Sequence, residues 1–462
     1  MMKPFDSKNT LPQNVYFLGI GGIGMSAIAR YYNARHCCVA GYDRTRSALC
    51  ETLETEGISI HYTPSPEAIP ASFTPDNTLV VYTPAIATSN EEYQWLSSNG
   101  FEIKKRAAVL GEITRVERGL CVAGTHGKTT ISTMLAHLLR QSHVDCNAFL
   151  GGISKNYAGN LLLSEKSDLV VIEADEFDRS FHHLSPYMAV ISAVDADHLD
   201  IYGTHEAYKE AFSHFTSLIR PDGCLLMKHG LEFEPRLQEG VRCYTYSGQP
   251  DEGADFYAEN IRIGIGELHF DFVSPFSKVK DVNLGVPVTV NVENGVAAMA
   301  IALLNGVEAE ELRQGMDSFR GVKRRFDVQM KTDKLTVIDD YAHHPAELEA
   351  SIRSVMELYR GKKVLGVFQP HLYTRTKDFY REFAAALSLL DEAMLVELYP
   401  AREEPIEGIS SETIFREVTC QKTLTTKKEL IDVLKSKRFD VLLTLGAGDL
   451  DTMLPQICEA LR

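Results

Sequence analysis

Short runs of apolar residues that end in Gly, Asp or Pro recur along this chain, separated by stretches of helical periodicity. The runs are Val15–Gly19, Val39–Asp43, Leu79–Thr83, Leu120–Ala123, Leu169–Glu173, Met188–Val194, Thr336–Asp340, Lys363–Phe368, Met394–Leu398 and Val441–Leu445. A strand buried on both faces reads as such a continuous run, so the alternation predicts an α/β fold of parallel sheets covered by helices. Between Cys243 and Val290 the texture changes to short alternating segments such as Leu268–Val273, which predict an antiparallel excursion. Ligands of parallel sheets collect at the carboxyl ends of the strands, and the polar motifs of this chain lie there.

The length of 462 residues predicts about three domains at roughly 150 residues each. Their expected limits are 1–105, 106–320 and 321–462, with hinges near Glu102–Ala107 and Phe319–Lys323. No apolar run is long enough to cross a bilayer, and Met1 to Asn14 is polar, so membrane insertion and export are not expected and the cytoplasm is. The nine cysteines are scattered, which excludes a disulfide framework or a zinc-ligand spacing. A net charge of −16 excludes general affinity for nucleic acid or an anionic membrane. Anionic substrates must therefore be met by local clusters of cations and backbone N–H groups. Nothing in the pattern separates a monomer from a homodimer.

Four strand ends carry such chemistry. The first reads Gly19-Ile20-Gly21-Gly22-Ile23-Gly24-Met25-Ser26, a Gly-x-Gly-x-x-Gly fingerprint, and Asp43 closes the next run. Glycines there let a diphosphate approach the backbone while an acidic residue meets a ribose, whether the ligand is a dinucleotide or a UDP-sugar. The second is Gly124-Thr125-His126-Gly127-Lys128-Thr129-Thr130, a phosphate cradle in which Lys128 bridges phosphoryl oxygens and Thr129 ligates Mg²⁺. Its spacing departs from the common phosphate loop, whose first glycine would fall at Val122. The third, Glu173-Ala174-Asp175-Glu176-Phe177-Asp178, crowds four carboxylates after a buried strand; they would repel one another without a cation, which points to Mg²⁺ with Glu173 as ligand. Glu176 and Asp178 also suit a helix N-terminus. The fourth, Asp195-Ala196-Asp197-His198-Leu199-Asp200, offers His198 for a second metal.

Together these motifs resemble the Mur ligase superfamily, ATP-dependent amide-forming enzymes of peptidoglycan precursor synthesis. Gly124–Thr130 is similar to that family's shortened phosphate loop, which accounts for the spacing. Further resemblance lies in Arg-Arg-Phe-Asp at 324–327, Asp-Asp-Tyr-Ala-His-His-Pro at 339–345, Phe-Gln-Pro-His-Leu-Tyr-Thr-Arg at 368–375 and Gly-Ala-Gly-Asp at 446–449. The branch that adds L-alanine to UDP-N-acetylmuramate fits best. The resemblance implies a three-domain architecture: a Rossmann-like UDP-sugar domain, a central P-loop ATPase-like domain and a Rossmann-like amino-acid domain.

It also implies roles. Gly124, Thr125, Gly127, Lys128, Thr129, Thr130, Asn291, Asn294, Arg325 and Asp340 would hold ATP, with two Mg²⁺, replaceable by Mn²⁺, on Thr129, Glu173 and His198. Gly19, Gly21, Gly22, Gly24, Met25, Ser26 and Asp43 would hold the UDP-sugar. Tyr341, His344, His371 and Arg375 would hold the amino acid, and Lys128, His198, Arg325 and His343 would carry catalysis. Where several branches have a carbamylated lysine this chain has Phe212, and Val290 stands where a histidine usually precedes the asparagine pair. The implied reaction passes through an acyl phosphate. A sister branch that adds a murein tripeptide, a folylpolyglutamate synthetase, a dehydrogenase reading of the first motif alone and a non-catalytic nucleotide-binding module are the competing expectations.

Overall fold

The computed structural model describes residues 11–197, 199–401 and 403–462. The chain forms two compact units. The first comprises residues 1–246, 253–255 and 297–307, and the second residues 247–252, 256–296 and 308–462.

The first unit holds one parallel sheet and one mainly parallel sheet, in which Gly159–Leu162 runs antiparallel to its neighbour Asn147–Ser154. In one, the strands run in the order Ser59–His61, Cys38–Tyr42, Asn14–Leu18, Thr78–Tyr82 and Glu102–Lys105, all parallel. The strand order reverses beside Asn14–Leu18, so the first glycine turn opens at a topological switch point, where such sheets bind ligands. In the other, Arg118–Ala123 lies between Pro186–Ile191 and Leu169–Glu173, so the loops that follow all three strands are neighbours. The helix Ile23–Ala34 packs between the sheets: Ile28, Ala29 and Tyr31 share one buried cluster with Val15 and Phe17 of the first sheet and Phe149 and Ile172 of the second. Such continuous burial of β-branched and aromatic side chains, at about 25 cal/mol per Å², is what fixes the two strand-end systems on one body.

In the second unit a six-stranded sheet runs Asp327–Lys331, Thr336–Asp340, Val441–Leu445, Val364–Phe368, Glu392–Leu395 and Gln421–Leu424, antiparallel only at the first pair. The strands Phe256–Gly264, Glu267–Val273 and Lys278–Asn283 form the expected antiparallel excursion. The expectation is corrected at its start, because Arg242–Ser247 pairs in parallel with Cys224–Lys228. Three α/β sheets with parallel cores are the predicted class.

Candidate active site

At the first turn, Gly19 has φ 86° and abuts Thr83 and Ile86 at the end of the strand across the switch point. Asp43 is engaged by the turn itself: its carboxylate accepts from the Gly21 N–H at 2.8 Å and the Thr45 N–H at 3.0 Å. Met25 and Ser26, expected at the sugar nucleotide, turn their side chains inward. Met25 is 2% exposed, and the buried Ser26 hydroxyl donates to Ile23 O and accepts from Asn160 Nδ2. Both side chains sit on the face of Ile23–Ala34 that packs against the core.

The phosphate turn is shaped by two glycines in conformations that disfavour side chains. Gly124 has φ 134°, and a Cβ there would stand 2.2 Å from Ser192 Oγ. Gly127, at φ 83°, precedes the helix Lys128–Gln141, whose N-terminus carries no side-chain cap. Its first N–H groups are therefore available to an anion, and the helix dipole adds positive potential. Ser192 Oγ donates to His126 O, and Thr125 Oγ1 donates to Asp195 O at 2.8 Å, which tie the turn to the adjacent strand end. The His126 ring lies 3.9 Å from Asp195.

Lys128 folds back over its own turn. Its Nζ donates to Gly124 O at 2.7 Å and to Glu176 Oε1 at 2.8 Å. Glu176 is 1% exposed, and burial raises its carboxyl above the ordinary range despite the lysine. Tyr202 donates to Glu176 O at 2.5 Å, while Tyr208 bridges Thr125 Oγ1 at 3.0 Å and Glu176 Oε1 at 3.5 Å. This revises the reading of the acidic run. Glu176 stands at the N-cap of the 3₁₀ helix Phe177–His183, but its side chain makes no cap bond and serves as the counter-ion of the phosphate-turn lysine; Asp175 pairs with Arg106 at 3.1 Å, and Asp178, in the first turn of that helix, pairs with Lys105 at 2.9 Å. Three of the four carboxylates thus meet protein cations, and mutual repulsion no longer requires a metal.

Glu173 remains the metal candidate on its chemistry. Its carboxylate lies over Gly151, where a Cβ would come within 2.0 Å of Oε2, so only glycine makes room for it. With the Thr129 hydroxyl it offers hard oxygen donors, the pair Mg²⁺ accepts when phosphates and waters complete its shell. Among the described residues no group of three or more His, Cys, Asp or Glu side chains forms a metal cage. His198 lies outside the described residues.

The second unit contains the remaining candidates. Asn291 and Asn294, each 7% exposed, start the helix Val290–Leu304 and bond to each other at 3.0 Å. Arg324 and Arg325 both lie against the Tyr341 ring, at 4.8 and 5.3 Å from its centroid. Arg324 also donates to Gly446 O at 2.7 Å and Gly448 O at 3.2 Å, joining two strand-end loops. Asp340 accepts from Ser351 Oγ at 2.7 Å, and burial raises its carboxyl. Burial lowers His343, which is therefore neutral near pH 7; its Nδ1 lies 3.0 Å from Tyr341 O, so that nitrogen donates and Nε2 is left as acceptor. His344 caps the helix Pro345–Leu358 in a reciprocal box with Glu347. His371 stacks on Tyr399 at 5.9 Å and meets His343 edge-on at 6.3 Å. Arg375 helps hold His343 down, and Glu403 is held below its ordinary range, against its burial, chiefly by the Thr374 hydroxyl and N–H. Residue types alone did not reveal Glu176, Tyr202, Tyr208, Arg106 or Arg324; the crowded acidic run was the only signal, because it demanded cations from somewhere.

The phosphate turn, with the acidic loop at the end of the neighbouring strand, has the form of a nucleotide-binding site in an α/β enzyme. The chain belongs to the Mur ligase family. The descriptions matched are "Mur ligase family, catalytic domain" at residues 14–118, "Mur ligase middle domain" at 122–302 and "Mur ligase, glutamate ligase domain" at 324–448. The chain is 62% identical to the UDP-N-acetylmuramate–L-alanine ligase of Parabacteroides distasonis, over 97% of each chain. It is 58% identical to the protein of that name from Phocaeicola vulgatus, over 98% of this chain and 99% of that one. Among solved structures, the UDP-N-acetylmuramate–alanine ligase of Thermotoga maritima superposes with a TM-score of 0.81 at 27% identity, covering 96% of this chain and 98% of its own.

Proposed function

We propose that this protein joins L-alanine to the lactyl carboxylate of UDP-N-acetylmuramate, with ATP converted to ADP and phosphate, in peptidoglycan precursor synthesis. The observation that carries the reading is full-length similarity, at 55–62% identity, to proteins that all bear the name of that ligase. The geometry of the phosphate turn agrees with it.

A carboxylate is a poor acceptor for an amine, so the lactyl oxygen first attacks the γ-phosphorus and ADP leaves, forming an acyl phosphate. The Gly124–Thr130 turn holds the phosphates through its N–H groups, and Lys128 Nζ exchanges Glu176 for a phosphoryl oxygen. Bound Mg²⁺ would neutralise charge on the phosphates, held by Thr129 and Glu173, with His198 as a further ligand. Asn291 and Asn294 are the proposed adenine contacts, and Arg325 and Asp340 the further nucleotide contacts. L-Alanine, met by Tyr341, His344, His371 and Arg375, then attacks the acyl carbon as a free amine and expels phosphate. The neutral His343 suits the ammonium proton, because its acceptor nitrogen is not the one turned to Tyr341 O.

The cytoplasm is the proposed location. All nine cysteines are free thiols, as a reducing compartment leaves them. Among the described residues no helix is long and apolar enough to cross a membrane.

The test is phosphate release from ATP with UDP-N-acetylmuramate, compared across L-alanine, L-serine, glycine and L-alanyl-γ-D-glutamyl-diaminopimelate. Release with L-alanine at the highest kcat/KM is expected. Release with the tripeptide alone would transfer the protein to the recycling branch, and none with any acceptor would leave a nucleotide-binding module.

A further inference from the structure

A cation overlies the first glycine turn. A Cβ on Gly24 would stand 2.3 Å from Arg106 Nη1 and 3.2 Å from its Cδ and Cζ, so the guanidinium rests against the third glycine of the fingerprint. Topology delivers it there. Arg106 opens the helix Arg106–Val116 directly after the strand Glu102–Lys105, whose neighbour Thr78–Tyr82 borders Asn14–Leu18 at the switch point.

The Arg106 side chain is partly exposed, at 23%, and Nη2 donates to Asp175 Oδ2 at 3.1 Å. Lys105 beside it donates to Asp178 at 2.9 Å. The loop that presents these carboxylates holds Asp178 and Arg179 at φ 51° and 53°, a conformation L-residues rarely adopt twice in succession. A carboxylate on an arginine at the mouth of an anion-binding turn occupies the position an incoming oxyanion would take.

We propose that Arg106 binds the diphosphate of the first substrate and helps select it, and that Asp175 is a placeholder that yields the guanidinium when the diphosphate arrives. The proposal rests on the UDP-sugar reading of the Gly19–Gly24 turn. The backbone N–H groups of that turn approach one phosphate, and the planar fork of an arginine accommodates two oxygens of the same or the neighbouring phosphate. Asp175, 37% exposed in its side chain, returns to water on release. The next residue, Glu176, holds Lys128 in the same way. The segment Glu173–Glu176 thus stores one cation for each of two polyphosphate substrates.

The experiment is calorimetric titration of the full chain with UDP and with uridine. R106A is expected to weaken UDP about ten-fold or more, as loss of a charge-assisted bidentate contact does, and R106K about three-fold. Uridine affinity should stay within about two-fold in both, since it lacks the diphosphate. D175N, which removes the competitor, should tighten UDP about three-fold and leave uridine unchanged. Equal losses for UDP and uridine, unchanged UDP binding in R106A, or weaker UDP binding in D175N would each overturn the assignment. A wild-type protein that binds neither UDP nor UDP-N-acetylmuramate would instead sink the substrate reading itself. Wild-type binding of both, matched by R106A, would sink only the role of Arg106.

Discussion

At the scale of single residues, Gly124 shows how tightly the phosphate turn is specified. Its φ of 134° and the 2.2 Å that would separate a Cβ from Ser192 Oγ leave an alanine both strained and clashing with a neighbouring strand. Gly124→Ala should cost on the order of 3 kcal/mol of stability and abolish ATP turnover, read from a denaturant midpoint and phosphate release; near-wild-type values in both would refute the tight turn. The identities of the loop residues were legible because each chemistry needs particular side chains at fixed offsets. The partner of Lys128 was not, since nothing in one dimension says which of four carboxylates will turn inward. Burial chose Glu176, 1% exposed beneath Tyr202 and Tyr208.

At the scale of elements, the apolar runs marked the central strands to within a few residues because burial on both faces leaves no polar alternation. Shorter or outer strands escaped. Ser59–His61, Glu102–Lys105 and Gln421–Leu424 lie at sheet edges with partly exposed side chains, and Asn147–Ser154 carries two glycines among its eight residues. The junction between the helix Arg106–Val116 and the strand Arg118–Ala123 carries a consequence of its own. Glu117 is 3% exposed, its Oε2 has no hydrogen-bond partner among the described residues, and Arg35 stands 3.6 Å from Oε1. Burial pushes its carboxyl up to about 7 from 4.5. The folded state therefore holds a proton that the unfolded chain releases, so stability present below pH 4.5 is lost as pH rises to about 7. Glu117→Gln should remove that loss. Its melting temperature relative to wild type should rise between pH 5 and 7.5, by the equivalent of about 2–3 kcal/mol; a pH-independent difference would contradict the buried protonated carboxyl.

At the scale of the molecule, the three-sheet class and the family were legible, but the union of the two sheets in the first unit was not. Beside the apolar packing, that union carries a polar tie at Asn160, an unremarkable residue in sequence. It is fully buried, donates to Ile23 O at 2.6 Å and Ser26 Oγ at 2.9 Å, and accepts from Arg30 at 2.6 Å. No periodicity marks such a residue, because its partners lie about 130 positions away in the chain. Asn160→Ala would strand these groups and should lower stability by about 2–3 kcal/mol, visible as a lower melting temperature; an unchanged melting temperature would show that the sheets need no such tie.

The two units are also interleaved along the chain. Residues 256–296 belong to the second unit, yet 297–307 return to the first before 308–462 complete the second. During synthesis from the N-terminus, domains that are contiguous in sequence can fold as each leaves the ribosome. Here the first unit lacks its last segment until residue 307 has emerged, by which time three strands of the other unit are already outside. Those strands pair with one another and can form at once, whereas the first unit stays open until its last segment arrives, so truncations that end between 256 and 307 should be the ones that chaperones retain.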